Sequence, residues 1–300
     1  MATGKILKLY CINHLRTGYG KEDVSTEKFL ENLVEYDPNG NVLKEENYLA
    51  EDELNVITLN EYDEHGRLII TTQYDAFETL IQKTKNEYDD QGNIIAQDKY
   101  YGDEDTAFTS RFIFENGLLV KQVAYIDDEK LNVERELTYN SQGLLEKEIE
   151  FDEDEKPLYI NSFEYNEDKL VVKQVREEVF AKDKRTFSFE YDDRKNRVKE
   201  LVYNFDEILI AKSLYQFDDD HHVVEKEEES LDHYQRMSYH YEEHHIHKIE
   251  IYDKKNTLIS WTEYEHNADG QVSLIKHFGT DETDENDYRL RLEYEYVYEM

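Results

Sequence analysis

From Leu68 to Tyr74 the side chains sort by parity: Leu68, Ile70, Thr72 and Tyr74 fall on one side of an extended segment, Ile69, Thr71 and Gln73 on the other. A period of two marks a strand, because successive strand side chains leave opposite faces. Ahead of it stand Asp63, Glu64, His65 and Gly66, turn-forming residues with Gly66 suited to a positive φ. A second turn falls near Asp75–Thr79, after which Leu80 to Tyr88 reads as the next strand. The pattern predicts an antiparallel meander.

The same pattern recurs. Glu61–Asn86 (EYDEHGRLIITTQYDAFETLIQKTKN) follows Glu35–Asn60 and precedes Glu87–Phe112 at a spacing of 26 residues, two strands to each unit. A fixed period lets each unit bury its apolar side against its neighbours without a core of its own. Aromatic residues keep the register. Tyr36, Tyr48, Tyr62, Tyr74, Tyr88, Tyr139, Tyr165, Tyr191 and Tyr203 belong to a series whose successive gaps are mostly 12 or 14 residues. Even gaps hold each ring on an equivalent side of its strand, and a one-residue slip would reverse the face. The rings are expected to stack as a cross-strand ladder, each pair adding about 0.2–1 kcal/mol over an alanine pair. Gly40, Gly66, Gly92, Gly117 and Gly143 mark the turns; beyond Tyr165 the glycines leave, and Asn, Asp or His is expected to take the left-handed conformation.

The expected fold is all-β, a long antiparallel meander of about twenty strands, which is large for a flat open sheet. Accumulated twist turns such a ribbon into a coiled or curved single sheet or a barrel-like shell, of which coiling is the preferred reading. Three parts are expected: 1–34, an N-terminal strand and connection capping the repeats; 35–278, the hairpin repeats; and 279–300, an acidic loop with a C-terminal capping strand. In the last part Leu290, Leu292, Tyr294, Tyr296 and Tyr298 alternate with Arg289, Arg291, Glu293, Glu295 and Glu299, the pattern of an edge strand with one charged side.

Charge changes the functional picture more than the fold. Thirty-five Lys and Arg stand against 71 Asp and Glu, a formal net charge of −36. That argues against direct contact with nucleic acid or anionic lipid, which rests on basic neutralisation of phosphate. It suits a basic protein partner or a self-repelling scaffold. One cysteine, Cys11, excludes an intramolecular disulfide framework and reads as a buried strand residue. With neither a leader pattern nor a long apolar run, the expected location is the cytoplasm.

The units YDPNGNV (Tyr36–Val42), YDEHGRL (Tyr62–Leu68), YDDQGNI (Tyr88–Ile94) and YNSQGLL (Tyr139–Leu145) resemble the YD repeats of the Rhs family, over Tyr36 to about Gly270. In that family the repeats are structural hairpin strips that coil into a shell and carry no catalytic residue. The resemblance implies a short stand-alone repeat protein without a toxin domain, with an immunity or chaperone role for such a system as an alternative.

Candidate chemistry is sparse. No GxSxG, Walker loop, dinucleotide fingerprint, HExxH or CxxC occurs, so no catalytic residue, cofactor or dedicated metal site is expected. Seven histidines fall between His221 and His247. His245 and His247 share strand parity and His240 lies across the turn, leaving weak metal binding or pH-dependent partner contact open beside plain solvent exposure. Possible partner contacts are therefore His240, His245 and His247, with Asp281, Asp284 and Asp287 of the Phe278–Tyr288 acidic loop. The function expected is protein binding or scaffolding through acidic surfaces; an inhibitor of a basic, nuclease-type toxin is the alternative, and self-association through sheet edges is open.

Overall fold

The computed structural model of the chain describes residues 5–16, 24–49, 52–102, 107–126, 130–281 and 284–299. Among them are 22 strands and no α-helix, so no helix is long and apolar enough to cross a membrane. Contacts divide the chain into two units. The first, Met1–Lys83 with Gln235–Met300, holds β1 (Ile6–Arg16), β2 (Val24–Tyr36), β3 (Val42–Tyr48), β4 (Leu54–Tyr62), β5 (Leu68–Asp75) and the start of β6 (Leu80–Tyr88). It also holds nearly all of β18 (Tyr234–Glu242), then β19 (His245–Tyr252), β20 (Leu258–His266), β21 (Val272–Asp281) and β22 (Asp284–Glu299). The second unit, Thr84–Tyr234, carries the rest of β6, then β7 (Ile94–Tyr101), β8 (Ala107–Glu115), β9 (Leu118–Ile126), β10 (Lys130–Tyr139), β11 (Leu145–Phe151) and β12 (Pro157–Tyr165). It continues through β13 (Val171–Glu178), β14 (Asp183–Tyr191), β15 (Arg197–Tyr203), β16 (Leu209–Phe217) and β17 (Val223–Ser230). All belong to one antiparallel meander.

One turn design repeats down the chain. At the first, the Asp37 N–H donates to the Asn41 carbonyl and the Gly40 N–H to the Asp37 carbonyl, 2.8 and 3.1 Å. The Asp37 carboxylate accepts from the Asn39 and Asn41 N–H groups, both at 2.8 Å. Gly40 has φ 91°. The extra residue appears as a bulge, with the register slipping between Glu35 and Tyr36 so that Tyr36 faces Val42. Turns headed by Asp63, Asp89, Asn140, Asn166, Asp192, Asp218 and Asn267 follow suit, and so do Asp75, Asp152 and Asn204 at the opposite strand ends. The left-handed place is filled by Lys169 and Lys195 as well as His221 and Asn256, so lysine joins the residues expected there. The Asp or Asn side chain holds the loop strongly enough to impose that conformation. Asn116–Gly117 is a different, two-residue turn, with φ 51° and 80°, of the type that favours Asn-Gly.

The aromatic series stands at strand ends beside these turns, and in the described pairings the residue opposite each tyrosine of the series is not another ring. Tyr36, Tyr48, Tyr62, Tyr139, Tyr165 and Tyr203 lie opposite Val42, Leu54, Leu68, Leu145, Val171 and Leu209. Tyr191 lies opposite Arg197, Tyr74 opposite Ile57, and Tyr88 ends β6. At Tyr36, Tyr48, Tyr62, Tyr139, Tyr165, Tyr191 and Tyr203 the bulge sets the ring against the residue that restarts the next strand. Hydroxyls reach the strand on the other side: Tyr62 donates to the Val42 carbonyl at 2.9 Å, Tyr139 to Leu119 at 2.8 Å, and Tyr165 and Tyr191 to Leu145 and Val171 at 2.7 Å. Each of these four tyrosines thus bonds its hairpin to the one before, whereas the Tyr48 hydroxyl donates to Glu46 on its own strand at 2.6 Å.

The chain termini meet in the first unit. β1 pairs antiparallel with β2 and also with β22, Cys11 lying opposite Phe29 on one side and Tyr294 on the other. The last strand is therefore no edge, and the meander closes at its termini where the preferred open coil would leave two bare strands. The expected loop at Phe278–Tyr288 is mostly strand: β21 runs to Asp281, which pairs with Asp284 at the start of β22. Pairing along the whole of β21 outweighs the low strand propensity of its acidic residues. Likewise β2 begins at Val24, inside the stretch expected to connect. Among the described residues the buried apolar side chains are Cys11, Val34, Ala96 and Val123 alone, so most side chains stay partly exposed.

Candidate functional site

A cleft of about 740 Å³ in the first unit sits where two neighbouring turns rise from β18–β19 and β20–β21. Glu242 comes from the end of β18 and Glu243 from the first turn, His245 and His247 from β19, Tyr264, Glu265 and His266 from β20, and Asn267 to Gly270 from the second turn. Register explains the assembly. Ile249 faces Thr262 across β19–β20, so His247 and His245, two and four residues earlier, share a face with Tyr264 and His266.

The rings of His245 and His266 stand 4.8 Å apart, tilted by 33°. His245 rests on Gly270, where an added Cβ would come within 3.0 Å of its Nε2; Gly270 also has φ 76°. The His266 imidazole is pushed below the ordinary histidine range, first by burial and then by His245 and His247, and is neutral at pH 7. His247 Nε2 lies 3.8 Å from Glu242 Oε1, and the Lys276 ammonium holds Glu265 at 2.6 Å. No lysine or arginine lines the cleft, whereas four carboxylates do. The arrangement suits an ammonium or guanidinium group, with neutral imidazole, phenol and amide beside it as hydrogen-bonding partners. Among the described residues of the cleft, no three ligand atoms converge as a metal would require.

Of the contacts expected from sequence, His245 and His247 are brought together and His240 is not. His240 faces Lys248 across β18–β19, and Lys248 alternates with His247, so His240 points to the opposite face. There His240 Nε2 lies 2.9 Å from Glu250 Oε2. Glu250 also accepts from Lys248 at 2.7 Å and from the Tyr252 hydroxyl at 2.9 Å. Its carboxyl is pulled down to about 2, chiefly by Lys248, against burial and with help from His240 and Tyr252. His240 is thus part of a structural ion cluster. The side chains of Asp281, Asp284 and Asp287 lie outside the described residues. His266 and Gly270 were missed, although Asn-Ala-Asp-Gly at Asn267–Gly270 repeats the Asn-Ser-Gln-Gly pattern at Asn140–Gly143 and puts His266 in the tyrosine's place.

No protein-family profile matches the chain, and no curated protein matches it. Among solved structures it is similar to the complex TcdB2-TccC3-TEV, at 12% identity and a TM-score of 0.34, over 92% of this chain and 22% of that one. It is also similar to a porin-like protein from Bacteroides uniformis, at 9% identity and a TM-score of 0.37, over 97% of this chain and 96% of that one. A Photorhabdus luminescens Tc holotoxin pore matches at 12% identity and a TM-score of 0.22, over 90% of this chain and 23% of that one. This chain spans less than a quarter of the toxin chains it matches.

Proposed function

We propose that this chain is a non-catalytic β-repeat protein, of the short kind its Tyr-Asp-x-x-Gly units resemble, that offers a carboxylate-rich surface to a basic protein partner. The observation that carries this reading is the charge: were every Lys and Arg paired with one acid, 36 carboxylates would remain. Acids crowd the bases that are present: Lys44, Lys121 and Lys212 lie on Glu46, Glu134 and Glu227 at 2.7, 2.6 and 3.1 Å, each with a second glutamate, Glu35, Glu136 and Glu229, at 3.8, 3.7 and 3.4 Å. The cleft at His245, His266 and Glu243, lined by four carboxylates and no lysine or arginine, offers a place for a lysine or arginine side chain to enter.

Affinity capture from the source cells, followed by kinetics with the purified partner, tests it. The expected result is a basic protein whose association slows as salt rises, because screening removes long-range steering. An uncharged or acidic partner, or association indifferent to salt, overturns the reading.

A further inference from the structure

Three consecutive turns at one end of the second unit, β13–β14, β15–β16 and β17–β18, carry Phe180, Phe205 and Leu231 at 66%, 65% and 84% exposure. At the other end of the same strands the tips are polar, as at Asp168 and Asp219, the latter held by Arg194 at 2.9 Å. The difference is not dictated by the turns. Between β15 and β16 the loop is set by Asn204, whose side-chain oxygen accepts from the Asp206 and Ile208 N–H groups at 3.0 and 2.9 Å. Phe205 takes no part in that, and the matching place in the Asp192 turn is Asp193. Strands are about 4.8 Å apart, so tips two strands apart stand roughly 10 Å from one another in a row. A single exposed phenylalanine needs no explanation, but a row of large apolar tips on one end marks a contact surface.

We infer that Phe180, Phe205 and Leu231 form a docking row for a basic protein partner, each tip entering an apolar socket rimmed by lysine or arginine. This deepens the proposed function and rests on it. The occupant follows from charge. Asp206, Glu207 and Asp232 are exposed beside the apolar tips, against Lys182 and His233 as the exposed bases of these three turns. A second copy would bring the same carboxylates, and an anionic bilayer would bring phosphates, both repelled.

The test is selection from a random-peptide library on the full chain, with the winners measured against the Phe180→Ser/Phe205→Ser/Leu231→Ser variant. The substituted side chains stand in solvent, and circular dichroism confirms that the variant keeps its fold. Peptides combining Lys or Arg with large apolar residues are expected to bind the native chain about tenfold or more tighter than the variant. Equal binding to both overturns the row while leaving the acidic-surface reading intact. Failure to select basic peptides at all overturns both. Selective binding of phosphatidylcholine or phosphatidylserine vesicles, or self-association abolished by the triple substitution, also overturns the row by assigning it another occupant.

Discussion

Left-handed backbone falls on a glutamate, Glu207, at φ 59° in the turn between β15 and β16, where the equivalent residue between β4 and β5 is Gly66 at 77°. A Cβ in that region costs about 1–2 kcal/mol, and glycine gives part of this back through a freer unfolded chain. Glu207→Gly is therefore expected to stabilise by about 0.5 kcal/mol, and Gly66→Ala, with open space around it, to destabilise by about 1 kcal/mol, both read from urea midpoints. Glu250 makes the second residue-scale case. Its carboxyl, at about 2 when folded, lies below the ordinary 4.5, so it contributes stability above about 4.5 that is lost as pH falls toward 2. Glu250→Gln is expected to destabilise by about 1–2 kcal/mol at pH 7, after allowing for solvent screening. The gap between variant and native chain should close as pH falls through that window. A gap unchanged at pH 2.5 would mean that His240, Lys248 and Tyr252 do not act through the charge.

At the scale of the element, the hairpin is held by two devices. The Asp or Asn at the head of each turn closes the loop within one hairpin, and the tyrosine hydroxyl reaches across to the previous one. Tyr191→Phe keeps the ring opposite Arg197 and deletes only the bond to the Val171 carbonyl, so it is expected to cost about 0.5–1.5 kcal/mol. A loss several times larger would mean that the ring itself had moved. The strands and turns were legible because both are local: parity places side chains on faces, and Asp-x-x-Gly signals its own bonds. What the tyrosines touch was not legible. Even spacing brings rings to equivalent strand ends, but a bulge, as at Glu61/Tyr62, sets most of them against an aliphatic residue and Tyr191 against Arg197. The cleft was half legible for the same reason. Parity joined His245 to His247, whereas His266 came from the next hairpin, and His240 was turned away by the register of Lys248.

For the chain as a whole, the non-local pairing of β1 with β22 is the feature no repeat pattern contains, because it joins residues nearly 300 positions apart. Its consequence is visible at Cys11, buried between Phe29 and Tyr294, with a thiol pushed upward by burial and by Glu31. A thiol that is covered and raised in this way forms little thiolate at pH 7 and reacts slowly. Removing residues 284–300 would bare one side of β1 and of β21, and an uncovered strand edge is a template for pairing with another chain. The charge of −36 opposes that encounter, but only across distances that salt does not screen. The truncated chain is therefore expected to expose Cys11 to a thiol reagent at any ionic strength, yet to associate only near 1 M salt, where the screening length falls to about 3 Å. Thiol labelling and sedimentation read the two effects separately. Unchanged Cys11 reactivity would show that β22 does not cover β1, and association already at 0.01 M salt would show that net charge does not keep bare edges apart.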